Sequence, residues 1–440
     1  MRINLTDNNE QANVGTYKRE DIATLFPIAG KKISQLCMEN NHLLVFPDCI
    51  ETTNDRIGNS RIISICNTAD PEYVSIVTGN MMGFIGVGNL QIKIKSRFDT
   101  GHNDFLLQYM LQRVLSLNLF DMNHNNEQED VFDFIMFLFP SLLNRAMCQG
   151  VYREYQTFHH NDGNVKGMVN VNRHIAHNIP FVGNLAYSAR EYAHDNSVTQ
   201  LIRHTIEYMK STKYGQYVLN MDRETIDNVK AIVNSTPSYS MSERSVIVAK
   251  NLRSKRHPYY TEYQPLQSLC LQILRNERIR YGESDDEICG ILFDGAWLWE
   301  EYINTILDGQ GFKHPENKKG KGRMYLFENN TGAIYPDFYK DNIVLDAKYK
   351  RLGNYDKVSR VGCDDIYQLI AYVTRLNAEK GGFVVPLTER QQSVPSARLK
   401  NYVSTLYIFG IEVSKTAKSY SEFCKEMKEN ELAFLNSVSG

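Results

Sequence analysis

The stretch Ile343-Val344-Leu345-Asp346-Ala347-Lys348 constrains this 440-residue chain more than any other. Three consecutive apolar residues suit a central strand buried on both faces. They run directly into a carboxylate and a lysine, groups that are costly to bury unless paired or bound to an ion. Just upstream, Lys340-Asp341-Asn342 has the polar character of a tight turn between two strands. The segment therefore reads as a β-hairpin, with Asp337 of Tyr335-Pro336-Asp337 inside the first arm. Asp346 and Lys348 are two residues apart on the second arm and project from one face. Asp337 and Asp346 are hard oxygen ligands suited to Mg²⁺, which keeps several waters and takes phosphate oxygens as further ligands. Such an ion lowers the pKa of a bound water and stabilises developing phosphoryl charge. Lys348 is placed to position that water or to neutralise the phosphate, and phosphodiester hydrolysis needs this set of roles. The plainer alternative is a hairpin carrying a surface ion pair between Asp346 and Lys348, because Asp…Asp-x-Lys is short enough to arise by chance.

The flanking segments supply candidates for the rest of a site. Leu298-Trp299-Glu300-Glu301-Tyr302-Ile303 places an acid on a helix spanning 294–307. Glu300 is the candidate third metal ligand, directly or through water, with Glu301 in its place if the helical register shifts. As periodicity alone has it, either is a solvated acid on an amphipathic helix. Downstream, Gln368 and Tyr372 are four apart on a helix over 365–376 and share a face. They either touch a nucleic-acid backbone or brace Lys348, and simple helix packing is the competing reading. Two basic clusters could receive phosphates, which dominate nonspecific DNA affinity. One is Lys313, Lys318, Lys319, Lys321 and Arg323. The other, Lys348, Lys350, Arg351, Lys357 and Arg360, adjoins the proposed chemistry, which makes Lys350 and Arg351 the stronger DNA-binding candidates.

Texture divides the chain into three parts, an α+β multidomain arrangement. Residues 1–100 are β-rich after a polar leader and a helix over 19–38. The strand-like runs there are Leu44-Val45-Phe46, Ile62-Ile63-Ser64-Ile65, Tyr73-Val74-Ser75-Ile76-Val77 and Leu90-Gln91-Ile92-Lys93-Ile94, as in a small barrel or sheet. Residues 101–280 are mostly helical, with apolar spacing of three and four over 105–119, 131–147, 198–209 and 265–275. A strand is expected over 166–171 and a linker over 254–258. Residues 281–440 alternate strands and helices, the mark of an α/β domain. Strands are expected there over 323–328, 333–340, 343–350, 382–385 and 405–413, with a helix at the end.

Other function classes lose support on inspection. Apolar residues make up 42% and the formal charge is −2, so any DNA affinity must come from local positive charge. Eight cysteines lack Cys-x-x-Cys pairs and zinc-site spacing with histidine. Scattered thiols, an amino terminus without an apolar signal-peptide core and no run of about 18 apolar residues together point to the cytoplasm and away from membranes. There is no G-x-x-x-x-G-K-[ST] phosphate loop and no His-Glu-x-x-His. Gly83-x-x-Gly86-x-Gly88 lacks dinucleotide-binding spacing and is read as turns. His159-His160 has no evident partner and is read as a polar loop.

In order along the chain, Leu298-Trp299-Glu300-Glu301-Tyr302, Tyr335-Pro336-Asp337, Leu345-Asp346-Ala347-Lys348-Tyr349-Lys350 and Asp365-x-Tyr367-Gln368-x-x-x-Tyr372 resemble the PD-(D/E)xK nuclease domain of McrC-type restriction subunits, including the LlaJI-like group. Lys166-Gly167-Met168-Val169-Asn170-Val171, Glu191-Tyr192 through Asp195-Asn196, and Gln200-Leu201-Ile202 extend the likeness, which covers roughly residues 83–390. Ala347 stands where that family often has Thr, at a position facing away from the metal side. The resemblance implies an Mg²⁺-dependent DNA endonuclease acting on double-stranded DNA. The catalytic set would be Asp337, Asp346, Lys348, Glu300 and Gln368, and the DNA contacts Lys350, Arg351 and Tyr372. It also implies a partner: a McrB-like AAA+ GTPase, expected as a hexameric ring, whose hydrolysis the β-rich N-terminal region would stimulate. A phosphate loop missing from this chain fits a motor supplied in trans. The rival readings are a stand-alone structure-specific or exonucleolytic nuclease, which would not need the long N-terminal portion, and a non-catalytic activator of the motor, which would not need Asp337, Asp346 and Lys348.

Overall fold

The computed structural model describes residues 1–9, 15–39, 43–47, 56–87, 90–99, 104–114, 130–252, 257–280, 288–315, 322–350 and 357–439. The chain forms a mixed α/β protein with two compact units, one built from 1–127 and 285–440, the other from 128–284.

In the first unit, the β-rich start and the C-terminal third share one structure. A five-stranded sheet among the described residues has the order Arg2–Thr6, Leu90–Lys95, Met81–Val87, Ile288–Asp294, Leu43–Phe46. Its fourth strand comes from the C-terminal part of the sequence. It runs antiparallel to Met81–Val87, with Ile291 opposite Phe84, and parallel to Leu43–Phe46. That strand was absent from the sequence reading, and so was Arg2–Thr6, which was read as part of a polar leader. Arg2–Thr6 alternates, with Ile3 and Leu5 buried, and pairs in parallel with Leu90–Lys95. A separate three-stranded sheet joins Thr16–Lys18, Tyr73–Thr78 and Ile63–Asn67. Ile3, Leu5, Val74, Ile76, Ile92 and Ile94 lie together in the apolar core of this region.

Two expectations there need correction. The helix over 19–38 is broken: a 3-10 turn at Ala23–Leu25 is followed by turns, and the α-helix begins only at Ile33. Pro27 lacks the amide a helix interior requires, and Gly30 sits at φ 78°. Gly83 and Gly86 are not turn residues but members of the Met81–Val87 strand. A Cβ on Gly83, which has φ 130°, would stand 2.2 Å from the Ile291 carbonyl oxygen, so the glycine permits close strand approach. Gly88 lies outside the described residues.

The second sheet of this unit has the order Phe338–Lys340, Ile343–Ala347, Lys380–Leu387, Thr405–Glu412, Ser396–Arg398. Its three inner strands run parallel, with Asp346 opposite Phe383 and Phe383 opposite Ile408. The helix Cys363–Leu376 connects the first two of these in the way a parallel crossover requires. Val344, Leu369, Val373, Phe383 and Ile408 form the core between helix and sheet. Strands expected over 323–328 and 333–340 shrink to Met324–Tyr325, Ala333–Ile334 and Phe338–Lys340, because Pro336 interrupts ladder pairing.

The second unit holds helices Asp130–Met147, Ser197–Ser211, Arg223–Ser235 and Tyr263–Arg280. Asn196 caps Ser197–Ser211 with a full capping box, accepting from Val198 and Thr199 amides. A three-stranded sheet pairs Leu185–Ala193 with Glu154–Asp162 and Met168–Val169. The strand expected over 166–171 is thus only two residues long, and Asn170 caps a helix starting at Val171. His159 and His160 are strand residues, not loop: His159 Nδ1 is 2.8 Å from Ser188 Oγ, and His160 Nε2 is 3.1 Å from Glu191 Oε1. Of the linker expected over 254–258, residues 254–256 lie outside the described residues. Among the described residues no helix is long and apolar enough to cross a membrane.

Candidate functional site

The hairpin forms as its residues dictate. Phe338 pairs with Leu345 and Lys340 with Ile343, leaving Asp341 and Asn342 as the turn, with Asp341 at φ 47°. Aspartate tolerates that left-handed region better than most residues. Asp337 precedes the first strand instead of lying within it, and its Oδ2 accepts the Ala347 amide at 2.7 Å. That bond ties the two candidate carboxylates to one end of the sheet. Lys348 follows the second strand, and its amide donates to the Val384 carbonyl at 2.9 Å.

Asp346 is 1% exposed. Lys348 Nζ lies 2.8 Å from its Oδ2, yet neither Asp346 oxygen receives a hydrogen bond along an acceptable direction. The contact is an ion pair seated off the carboxylate's hydrogen-bonding axes. Burial raises the pKa of Asp346, and Lys348 only partly offsets it. Burial likewise holds Asp337 well above the usual carboxylate range, reinforced by the charges of Glu300 and Asp346. For Lys348 burial acts downward, but Asp346, Asp337 and Asp365 outweigh it and the ammonium is held above its ordinary value. The lysine is therefore a fixed cation among acids.

Helix Cys363–Leu376 holds that cation. Lys348 Nζ donates to Gln368 Oε1 at 2.9 Å, and Gln368 Nε2 donates to the Tyr372 hydroxyl at 2.7 Å. Tyr372, read from the sequence as a DNA contact, is 4% exposed and lies in the helix–sheet core, where it braces Gln368. Lys350, the second DNA candidate, forms a close ion pair with Asp365, whose other oxygen is 3.8 Å from Lys348 Nζ. Arg351, the third, lies outside the described residues, as do Lys318, Lys319 and Lys321 of the other basic cluster.

Glu300 rides on helix Gly295–Leu307, which Asp294 caps by accepting the Trp297 amide at 2.7 Å. Trp299, fully buried, donates from Nε1 to the Val384 carbonyl at 3.0 Å and so anchors the helix to the same strand as Lys348. Glu300 is the acid of the adjacent pair whose charge reaches Asp337 and Tyr372. One residue at this end had no motif to announce it. Lys313 forms a two-way backbone bridge with Tyr339, which sets His314 over Phe338, rings stacked 4.7 Å apart. His314 Nδ1 lies 2.8 Å from the Asp337 carbonyl, and Nε2 lies 3.9 Å from both Glu300 and Glu301. Burial acts to lower its pKa, but the two glutamates and the carbonyl raise it on balance.

Among the described residues, no three of His, Cys, Asp and Glu gather closely enough to form a metal-holding group. The donor chemistry is that of a smaller set. A buried carboxylate beside a second, half-buried one suits a hard divalent ion that completes its shell with water and phosphate. Asp337 and Asp346 would hold it, with Glu300 on the neighbouring helix.

No curated protein matches this chain. A solved structure described as a refined half-complex from the tetradecameric assembly of Thermococcus gammatolerans McrB AAA+ hexamers with bound McrC contains a similar chain. It is 15% identical, with 98% of this chain and 100% of that chain covered at a TM-score of 0.50. At that identity the likeness is one of fold. A chain of the Thermococcus gammatolerans McrBC complex also matches, at 16% identity over 70% of this chain and 87% of that one, with a TM-score of 0.31. The model of the family described as McrBC 5-methylcytosine restriction system component matches residues 76–386, well over half the sequence, and the chain belongs to that family.

Proposed function

We propose that this chain is the DNA-cleaving, McrC-like subunit of a GTP-dependent restriction system, with a PD-(D/E)xK nuclease site at the hairpin. The observation that carries the reading is Asp346: a buried carboxylate 2.8 Å from the ammonium of Lys348, which Gln368 and Asp365 also hold, with a second carboxylate, Asp337, whose pKa is raised by burial and by the charges of Glu300 and Asp346. A structural ion pair has no use for further acids held beside it, since like charges brought together cost stability. Membership of a restriction-system family supports the same reading. So does the fold shared with a chain from an assembly of McrB AAA+ hexamers with bound McrC, and a hexameric AAA+ GTPase is accordingly the proposed partner.

Asp337 and Asp346, with Glu300 alongside, would hold Mg²⁺, which when bound would supply charge neutralisation at the phosphate and a more acidic water. The protein's own groups do the rest. Lys348, kept protonated by its carboxylate neighbours, presents a cation to the scissile phosphate. Gln368 and Tyr372 fix the direction of its ammonium. The Ala347 amide fixes one Asp337 oxygen at 2.7 Å. His314 and the two glutamates form an acid–base cluster at its edge.

The test is reconstitution. The chain with its AAA+ partner, GTP and Mg²⁺ is expected to break double-stranded DNA, and the chain alone to cleave weakly or not at all. Asp346→Ala should abolish cleavage while leaving stimulation of GTP hydrolysis in place. Full cleavage by that variant would overturn the assignment, and strong GTP-independent cleavage by the chain alone would favour a stand-alone nuclease.

A further inference from the structure

The chain leaving Lys348 is not released into solvent. Tyr349 is 4% exposed and is gripped by residues of the N-terminal sheet. The Arg97 guanidinium donates to the Tyr349 carbonyl and stacks 4.9 Å from the centre of its ring. The same guanidinium donates to Asn80 Oδ1 at 3.2 Å. Asp7, fully buried, fixes Arg97 from behind: Oδ1 accepts the Arg97 amide at 2.6 Å, and Oδ2 is 3.6 Å from Nη1. At the far end of the ring, the Tyr349 hydroxyl lies 2.6 Å from Ser96 Oγ.

Asn80 makes the arrangement more than a staple. Its carbonyl accepts the amide of Gly295 at 2.8 Å, the first residue of the helix that carries Glu300. Nη2 of this guanidinium is thus bonded to the strand end bearing Asp346 and Lys348. The same nitrogen donates to Asn80, the residue that holds the start of the Glu300 helix. We propose that Arg97 is a positioning residue of the nuclease site, setting the Asp346–Lys348 strand end against the Glu300 helix. The planar guanidinium lies over the Tyr349 ring and turns Nη1 towards Asp7 while Nη2 bonds both acceptors, an arrangement a single ammonium on a flexible stem does not reproduce. Misplacing catalytic groups by about 1 Å can cost about 100-fold in rate.

This inference rests on the nuclease reading, and the test separates the two. Arg97→Lys keeps the charge and most of the packing but loses the fork. In the complex with the AAA+ partner, GTP, Mg²⁺ and double-stranded DNA, its cleavage rate should fall by about 100-fold. Its stimulation of GTP hydrolysis should stay at the parent's level. Mn²⁺ titration of the chain alone, followed by tryptophan fluorescence from Trp297 and Trp299, should show a midpoint raised by about tenfold. A folded Arg97→Lys that cleaves at the parent's rate and binds Mn²⁺ at the parent's midpoint overturns the inference. A merely structural role would lower the melting temperature and leave both readouts unchanged at temperatures where the variant is folded. If Arg97→Lys fails to fold, Asn80→Ala carries the test: cleavage should fall and the Mn²⁺ midpoint rise, with Asn80→Asp restoring both because it keeps the acceptor. Parent-like behaviour of Asn80→Ala then overturns the inference. Failure of the parent complex to cleave, or cleavage by Asp346→Ala, would instead sink the nuclease reading.

Discussion

Replacing Asp346 with Asn should stabilise the metal-free protein while destroying its activity. The carboxylate is 1% exposed and receives no aligned hydrogen bond, so it is held charged where charge is disfavoured. Asn keeps the shape and removes the charge. The gain is the relief of an unsatisfied buried group, about 1–3 kcal/mol. The loss is the nearest counter-charge of Lys348, which is 17% exposed at its side chain and retains Gln368 at 2.9 Å and Asp365 at 3.8 Å. Because Lys348 keeps these two partners it is not left unpaired, and the loss stays at about 1 kcal/mol, below the cost of an uncompensated buried charge. The gain wins by about 1 kcal/mol, which corresponds to about 2–4 °C in melting temperature. The pH dependence has a definite sign. The folded pKa of Asp346 is raised, so its contribution to stability is present in acid and is lost as pH rises through that value. The variant's advantage should therefore be largest at mildly alkaline pH and shrink on acidification. Metal removal supplies the control. An ion that binds only the native parent stabilises it by about 1.4 kcal/mol at ten times its dissociation constant, so Mg²⁺ should erase the variant's lead that chelator reveals. Thermal melts at pH 6 and 8, with EDTA and with Mg²⁺, decide the matter. An Asn variant less stable than the parent in EDTA at pH 8 would refute the buried-charge argument, and equal Mg²⁺ stabilisation of both would refute the ion's placement.

Two further substitutions probe the surrounding frame. Glu300→Gln should raise the Mg²⁺ concentration needed for half-maximal cleavage by about 10–100-fold, whereas Glu301→Gln should change it less, because Glu300's charge is a leading one acting on Asp337 and also acts on Tyr372; equal effects would show that both acids serve the site. Gly295→Ala should cost about 1–3 kcal/mol by overpacking, because the new Cβ would stand 2.7 Å from Tyr349 Cε1 and the ring is pinned at its hydroxyl and over its face; an unchanged melting temperature would show that the helix start moves freely.

The hairpin was legible because every cue lay within fourteen residues: a turn, an apolar run, and an acid and lysine in period-two register. The helix Gly295–Leu307 was legible for a similar reason, with Asp294 as a cap and apolar residues at helical spacing. What stayed hidden was non-local. Strand Ile288–Asp294 is defined by partners some two hundred residues earlier, and no local pattern says that Ile291 will sit against Phe84. His314 is placed by a single backbone bridge between Lys313 and Tyr339, which leaves no trace in residue type. The helix expected over 19–38 fails at Pro27 and Gly30, the two residues that break it.

The hidden strand also changes what a nuclease site in this chain would consist of. Read from the sequence, the chemistry occupies the last third, and the first hundred residues serve another purpose. In the structure, Ile288–Asp294 is hydrogen-bonded between Met81–Val87 and Leu43–Phe46, and its last residue caps the helix bearing Glu300. Asn80, one residue before Met81–Val87, accepts the first amide of that helix, and Arg97 closes the ring onto Tyr349. Any displacement of the N-terminal sheet must therefore move the Glu300 helix relative to Asp346 and Lys348, or break buried hydrogen bonds at about 1–3 kcal/mol each. The sheet and the candidate hairpin are joined by these bonds, so the N-terminal residues belong to the description of the candidate site.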